Sequence, residues 1–378
     1  MKIGIITFQR CNNYGAELQA YALQKQLQLI GYDAENIDYL FYKHPKHKAT
    51  PLSRPLLKIS LRYRFYEWLY PLIKTLVCFL HRHQQYERLK RFDAFDNQMI
   101  RQSHCYQTMD DLFSNPPNYD VYIVGSDQVW NPRMYASLRP YFLDFAPPSK
   151  RRISYASSFG VSLLPKAFEE IYKTYLSKFD FLSVRESSGV EIIQSLIEKP
   201  VVHVLDPTLL LKKKYWEKLA PENSRRPYLV IYDLSPSKEL LDFARKWAQI
   251  KKWDLVRLCG ELGEEKHQDI ESAFTAGPIE FLGLIRNAQA VVTNSFHGTV
   301  FSIIFEHPFY SVIPLKTKNE GRIESLLRSL GLLSRMVKIG HLNQINIVDS
   351  INFSDVRSQL QALRESSLQF LITALKGK

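Results

Sequence analysis

Cysteine is scarce and scattered: the 378 residues hold four, Cys11, Cys78, Cys105 and Cys259. No two form a C-x-x-C pair, which argues against both a disulfide framework and a zinc site, and a reducing, cytoplasmic setting is expected. The chain also lacks G-x-G-x-x-G and G-x-x-x-x-G-K-[ST], so neither a dinucleotide site nor a P-loop is indicated. No His/Asp/Glu cluster has metal-ligand spacing, and neither a metal nor a cofactor is expected. Long apolar runs are missing too. The most apolar later stretch, Tyr70 to Leu80, carries Lys74 and has about half of the ~20 residues needed to cross a bilayer. The start, MKIGIITF, turns polar at Gln9-Arg10 and reads as a buried strand, not a signal peptide. Internal repeats and low-complexity tracts are absent.

What is present is an ordinary globular composition, 45% hydrophobic and 23% charged, long enough for two domains of roughly 150–200 residues. The formal charge of +12 is unevenly spread. Lys43 to Arg101 carries 13 Lys/Arg against 4 Asp/Glu. No nucleic-acid module accompanies this excess, and no nucleic-acid partner is expected. Two readings stay open. RYRFYEWLYPLIKTLVCFL would suit peripheral contact with an anionic membrane at the inner face, and a helical insertion with solvated Lys and Arg would suit it equally.

Strand and helix patterns alternate along the chain. Residues 2–8 read as a strand, 16–30 as a helix stopped by Gly31, and 34–40 as a second strand, which is a βαβ opening and implies a parallel sheet. Further strands are predicted at 119–124, 152–156, 181–184 and 201–205, with helices at 165–179 and 187–197. The polar, proline-punctuated run 212–227 is expected to link two domains. A second series follows: strands at 228–234, 254–259, 290–294 and 309–313, and helices near 237–251, 279–288, 299–306 and 321–332. The chain is expected to close with an amphipathic helix opening at Ser354. The expected architecture is α/β, with two Rossmann-like domains facing across a cleft. Their bounds are 1–211, with a basic helical insertion at about 43–105, then 228–345, and a C-terminal helix over 346–378.

In open parallel sheets ligands bind beyond the carboxyl ends of the strands, so the loops that follow strands are the places to look. After the first strand come Asn12, Asn13, Tyr14 and Gly15, where a helix start could meet an anion or hydroxyl-rich ligand, or simply be capped. After the strand at 121–124 come Ser126, Asp127, Gln128, Trp130 and Asn131. Polar groups for hydroxyls and an indole for a pyranose face would suit a sugar, although Trp130 could equally be core. Arg185 follows FLSV beside a helix start, well placed for a phosphate or carboxylate, or for an ion pair with Glu186. Ser295-Phe296-His297-Gly298 follows AVVTN. There an imidazole suits proton transfer, and the glycine allows close backbone approach. His203, inside VVHVL, reads as a core histidine.

Taken together, NNYGAELQAYAL, VGSDQVWNP, RISYASSFG, SVRE with its serine, VLDPTLLL and TNSFHGTVFSIIFEHPFYSV resemble the polysaccharide pyruvyl transferase family, in order from residue 12 to 312. The resemblance implies a fold like that of GT-B glycosyltransferases. It also implies transfer of pyruvate from phosphoenolpyruvate to two hydroxyls of a sugar, giving a cyclic ketal and phosphate. The acceptor would be a bacterial exopolysaccharide, capsule or cell-wall glycan, or a lipid-linked oligosaccharide precursor. Arg185 matches a family arginine implicated in donor binding, and His297 the family's acid/base histidine. Ser295 departs from the pattern, because many members carry arginine there; Lys316, Lys318 and Arg322 could supply the missing charge. Ser295 and Gly298 would line the donor site, while Asn12 to Gly15 and Ser126 to Asn131 would serve the acceptor. A nucleotide-sugar glycosyltransferase of the same fold, and a non-catalytic glycan- or lipid-binding relative, are the alternatives.

Overall fold

The structure is a computed structural model that describes residues 1–53, 82–134, 136–222, 225–259, 267–313 and 320–377. Lys316, Lys318 and the aromatic part of the basic segment, within 54–81, lie outside the described residues. Packing divides the chain into two compact units. The first comprises Met1–Ser60, Asp96–Leu211 and Leu360–Lys378, and the second Leu61–Phe95 and Lys212–Gln359.

In the first unit, β1 (Lys2–Ile6), β2 (Asp33–Asn36), β3 (Val121–Val124) and β4 (Arg151–Ser154) form a parallel sheet in the order β2-β1-β3-β4. The strands β5 (Leu182–Val184) and β6 (Val201–His203) pair in parallel. Bridges from Ile153 to Phe181 and from Ser157 to Val184 continue the order outward from β4. KIGII and VYIV are almost wholly buried, as expected of parallel strands covered on both faces. The helix Tyr14–Leu29 returns the chain from β1 to β2 and ends beside Gly31, whose φ of +92° is a left-handed stop. His203 is not a core residue: β6 is the last strand of its pair, and the ring is exposed with Nε2 3.1 Å from the Arg185 carbonyl.

The second unit holds β7 (Tyr228–Asp233), β8 (Asp254–Cys259), β9 (Glu271–Ser272), β10 (Ala290–Thr293), β11 (Phe309–Ile313) and β12 (Met336–Lys338). They form one parallel sheet in the order β12-β11-β10-β7-β8-β9. Helices Lys238–Lys251, Pro278–Arg286, Phe296–Phe305 and Glu320–Ser329 connect the strands. The predicted linker contains the helix Lys213–Leu219, whose Trp216 is fully buried edge-on to Phe301. Trp216 is the buried anchor of a helix, KKYWEKL, that is more than half charged, so composition alone reads it as loop.

The described part of the basic segment is mainly the helix Arg82–Met99. Its Arg88 is not solvated: the guanidinium lies over Phe92 and Phe274 and donates to the Phe274 carbonyl at 2.8 Å. The closing helix spans Phe353–Lys376, and residues 346–352 are not part of it. The helix opens at Phe353, so Asn352 stands in the capping position expected of Ser354, and its Oδ1 accepts from the Ser354 N–H at 3.2 Å. Its second half belongs to the first unit, where Leu205 N–H donates to Ser367 and Arg364 donates to the Leu209 carbonyl. No helix among the described residues is long and apolar enough to cross a membrane.

Candidate active site

At the carboxyl end of β1 the chain turns through Arg10 and Asn12, both at positive φ, before the helix opens. Asn13 is the cap: its Oδ1 accepts from Ala16 N–H at 3.2 Å. Tyr14 is 1% exposed and Gly15 is buried in the first turn, so neither offers a surface to an acceptor; the tyrosine's apolar body is spent on core packing. Beneath the turn, Glu17 accepts the Arg10 N–H at 3.2 Å and the Cys11 N–H at 3.1 Å. Burial pushes its carboxyl up from 4.5 to about 7, against lowering hydrogen bonds from Asp96, Cys11 and Arg10. Burial likewise pushes the Cys11 thiol well up, which leaves it a poor nucleophile.

The Glu17 shift has a measurable consequence. A carboxyl whose folded pKa exceeds its unfolded value keeps its proton in the folded chain after the unfolded chain has lost it. Stability is therefore expected to fall as pH rises from about 4.5 to about 7. Denaturant midpoints taken between pH 5 and 8 should show this fall, and Glu17→Gln should flatten it. Equal pH slopes for the two proteins would contradict the assignment.

The loop after β3 is built on Gly125, whose φ is +114° and whose added Cβ would lie 2.2 Å from the Tyr155 carbonyl oxygen. The Gly125–Ser126 peptide is cis, and Asp127 takes a φ of +67°. Ser126 is fully buried; its hydroxyl reaches the Ala156 carbonyl at 3.0 Å and Asp206 Oδ2 at 2.9 Å. Its N–H donates to Gln19 Oε1, and Gln19 Nε2 donates to Thr7, which ties this loop to β1 and its helix. Ser126 is thus a structural tie, not a ligand contact. Asp127 keeps 15% of its side chain exposed and accepts Arg185 Nη2 at 2.8 Å. Asn131 Nδ2 donates to Gln128 Oε1 at 2.9 Å, and both side chains sit against Gly160.

Trp130 in this loop and Arg185, which follows β5, both depart from expectation. Trp130 is fully buried, stacked on Phe142 at 5.7 Å and flanked by Phe159 and Phe179, with Nε1 donating to the Tyr141 carbonyl. Its faces are covered by aromatic core and cannot carry a pyranose. Arg185 has a side chain with no exposure, and it gives Nη1 to Asp206 Oδ2 at 2.8 Å and Nη2 to Asp127. Burial works against its charge, but Asp127, Asp206 and Glu186 outweigh this and raise its pKa. Arg185 therefore presents its fork to carboxylates of its own chain, where the sequence reading gave it to the donor. Asp206, the centre of this network, lies in the family-like segment VLDPTLLL, but no local pattern singles it out as a site residue.

In the second unit the turn after β10 is equally fixed. Thr293 Oγ1 donates to the Tyr232 carbonyl at 2.6 Å and accepts the Ser295 N–H. Asn294 accepts from Leu234 N–H at 2.7 Å and donates to the Ser235 carbonyl, joining this turn to the end of β7. Ser295 is the N-cap, accepting from Gly298 N–H at 3.4 Å. The helix therefore starts at Phe296, three residues before the predicted start, and His297 stands in its first turn. His297 is 7% exposed and packs edge-on against Phe296 at 5.2 Å. The Arg322 guanidinium lies over the same Phe296 ring at 5.9 Å. Beside the turn, Asp233 and Arg257 form a buried bidentate pair at 2.9 and 2.8 Å.

Gly298 is required by contact. A Cβ there would lie 2.3 Å from Thr293 Oγ1 and 2.9 Å from Tyr232 Cδ1. Gly298→Ala is expected to cost about 1–3 kcal/mol of stability through overpacking and to displace His297. A melting temperature equal to wild type would contradict this.

Among the described residues, no group of three or more His, Cys, Asp or Glu is placed to hold a metal ion. The described pocket of about 600 Å³ lies elsewhere, between the helix Lys238–Lys251 and the start of β8, lined by Arg245, Trp253, Asp254 and Asp269. This pocket holds mainly the Arg245–Asp269 ion pair and none of the strand-end residues that the sequence singles out.

The comparisons with known proteins agree with this picture of two Rossmann-like units. The UDP-N-acetylglucosamine 2-epimerase from Rickettsia bellii is similar over 99% of this chain and 96% of its own, at 9% identity and a TM-score of 0.56. A Listeria monocytogenes protein described as a UDP-N-acetylglucosamine 2-epimerase is similar over 100% and 97%, at 9% identity and a TM-score of 0.54. A glycosyltransferase from Streptomyces sp. SF2575 follows at 13% identity, 97% and 96% coverage and a TM-score of 0.44. At such identities the likeness to the two epimerase structures is one of fold alone, and that fold is GT-B-like. No curated protein matches the chain in sequence. The profile of one family, polysaccharide pyruvyl transferase, does match, over residues 13–314. That span runs from the Asn13 cap through Asp127, Arg185 and the His297 turn to the end of β11, and the chain belongs to the polysaccharide pyruvyl transferase family.

Proposed function

We propose that this transferase moves the pyruvyl group of phosphoenolpyruvate onto two hydroxyls of one sugar, in a surface polysaccharide or its lipid-linked precursor. Carbon 3 of the enol gains a proton and becomes methyl. The two hydroxyl oxygens bond to carbon 2 and lose their protons, the carbon–oxygen bond to phosphate breaks, and a cyclic ketal and inorganic phosphate result. The observation that carries the reading is His297 in the first turn of a ten-residue helix, within a chain of this family.

The chemistry of the residues supports it. A helix start brings backbone N–H groups and the positive end of the dipole toward an anion, which suits a phosphate or carboxylate. An imidazole in that turn can give a proton to carbon 3 and take one from an attacking hydroxyl. Ser295 is occupied as the cap, so the charge that many relatives place there is assigned to Arg322, held over Phe296 one residue away, with Lys316 and Lys318 close in sequence. Asp127, partly exposed and oriented by Arg185, suits a sugar hydroxyl, with Gln128 and the Asn131 that bonds it close by in sequence, and Asn12 is assigned to the same acceptor side. A lipid-linked acceptor at the inner membrane face would also give the basic, aromatic segment a use.

Competition binding separates this reading from nucleotide-sugar transfer. Phosphoenolpyruvate should bind the purified chain and resist displacement by a panel of UDP-, GDP- and ADP-sugars. Tight binding of a nucleotide sugar, with none of phosphoenolpyruvate, would overturn it.

A further inference from the structure

We infer that Asp206 is a positioning residue for the acceptor reaction: it fixes Arg185, and through Arg185 it aims the Asp127 carboxylate. The inference rests on the reading that Asp127 meets the acceptor sugar. Asp206 is 2% exposed and lies in the middle of VLDPT, a segment that the family resemblance includes but to which neither the strand pattern nor the loop chemistry assigns a functional role.

Its two oxygens have separate tasks. Oδ1 caps the short helix Pro207–Leu210, accepting Thr208 N–H at 3.1 Å and the Thr208 hydroxyl at 2.7 Å. Oδ2 faces the other way in bonding terms, accepting the Ser126 hydroxyl at 2.9 Å and Arg185 Nη1 at 2.8 Å. Capping needs only Oδ1. The second oxygen is what joins the loop after β3 to the residue after β5, over sequence separations of 80 and 21.

The geometry then runs outward. Arg185, with no exposed side-chain surface, spends one nitrogen on Asp206 and another on Asp127 Oδ1. Its planar fork makes the two bonds interdependent: held by Asp206 on one side, it cannot rotate away from Asp127 on the other. Of the chain Ser126–Asp206–Arg185–Asp127, the last carboxylate is the member that keeps 15% side-chain exposure. The buried members act as a mount for the exposed one, and a misplacement of about 1 Å at a reacting group can cost roughly 10²-fold in rate.

Asp206→Asn tests this with shape nearly unchanged, because an amide can accept from the Thr208 side or from the Arg185 side but not both. The expected result is a fall of roughly 10²-fold in kcat/KM for the acceptor, with KM for phosphoenolpyruvate unchanged. Combined with Asp127→Asn, the double variant should be no slower than Asp127→Asn alone, since the mount has nothing left to aim. Thr208→Val, which disturbs only the capping side, should lower the melting temperature without this kinetic loss. Turnover of Asp206→Asn within twofold of wild type, or a loss that multiplies with that of Asp127→Asn, would overturn the inference.

An arm independent of activity keeps the two readings distinguishable. Unfolding constants of the two single variants and the double should depart from multiplicativity by at least about threefold, since Asp206 and Asp127 share Arg185. If wild type fails to turn over phosphoenolpyruvate yet this coupling appears, the functional reading fails and the mount stands. If the unfolding constants simply multiply, the mount itself is wrong.

Discussion

His297→Ala is expected to lower kcat by about 10²–10⁴-fold, the range that a positioned proton-transfer group contributes, while the fold survives. The reasons lie in how the turn is made. Ser295 caps the helix, Thr299 donates to the Ser295 carbonyl and pairs with Ser311, and Ser302 donates to the Gly298 carbonyl. None of these bonds uses the imidazole. Alanine is also the better helix former, so the first turn loses nothing in propensity. The lost ring costs at least its edge-on packing against Phe296, a contact of order 0.5–1.5 kcal/mol. The variant should therefore melt within a few degrees of wild type yet release phosphate far more slowly. His297→Gln, which keeps a hydrogen-bonding side chain but cannot titrate near neutral pH, should be nearly as slow. Phosphate release from either variant at the wild-type rate would remove His297 from the chemistry.

Arg185→Ala is expected to act in the opposite way, first on the fold. Removing one partner of a buried ion pair commonly costs about 3–5 kcal/mol, because the carboxylate left behind is uncompensated in a low-dielectric site. Here the guanidinium pairs with Asp206 at 2.8 Å and Asp127 at 2.8 Å, and Glu186 lies at 4.0 Å. Asp206 and Glu186 are as buried as the arginine. Such a loss is a large share of the 5–15 kcal/mol that holds a typical domain together. Denaturant unfolding should show it directly. Arg185→Lys should recover only part, since one ammonium cannot satisfy two carboxylates along a planar fork. A variant that stayed as stable as wild type and lost only its affinity for phosphoenolpyruvate would instead make Arg185 a direct donor contact.

The fold was legible because parallel strands that are buried on both faces read as short apolar runs. KIGII, VYIV, YLVIYD, AVVT and FYSVI each stand out between polar loops. Strand-end loops were legible for the same reason, and they contain Asp127, Arg185 and His297. What could not be read was the direction in which each side chain points. Trp130 and Tyr14 fall in polar company, so they look like ligand platforms, yet their rings fill the core. Arg185 looks like an anion site because the carboxylates that claim it stand 58 and 21 residues away. Asp206 and Glu17 fall inside the family-like segments VLDPTLLL and NNYGAELQAYAL, but nothing local assigns either a role, since their roles depend on pairings across the sheet and on burial. Helix starts were legible only to within a turn. Ser295 reads as loop until its cap is seen, and that shift moves His297 from a turn into a helix. The closing helix was visible from its apolar spacing, but its return to the first unit depends on Ser367 and Arg364 meeting Leu205 and Leu209 over 162 and 155 residues.

The most direct test is the product itself. Phosphoenolpyruvate labelled with carbon-13 at carbon 2 is incubated with the chain and a panel of lipid-linked and free bacterial glycans. The expected product is a new quaternary ketal carbon bonded to two sugar oxygens, with one phosphate released per ketal, and neither with His297→Ala. Transfer of a hexosyl group from a nucleotide sugar to the same glycans, with the labelled carbon left in phosphoenolpyruvate, would contradict it.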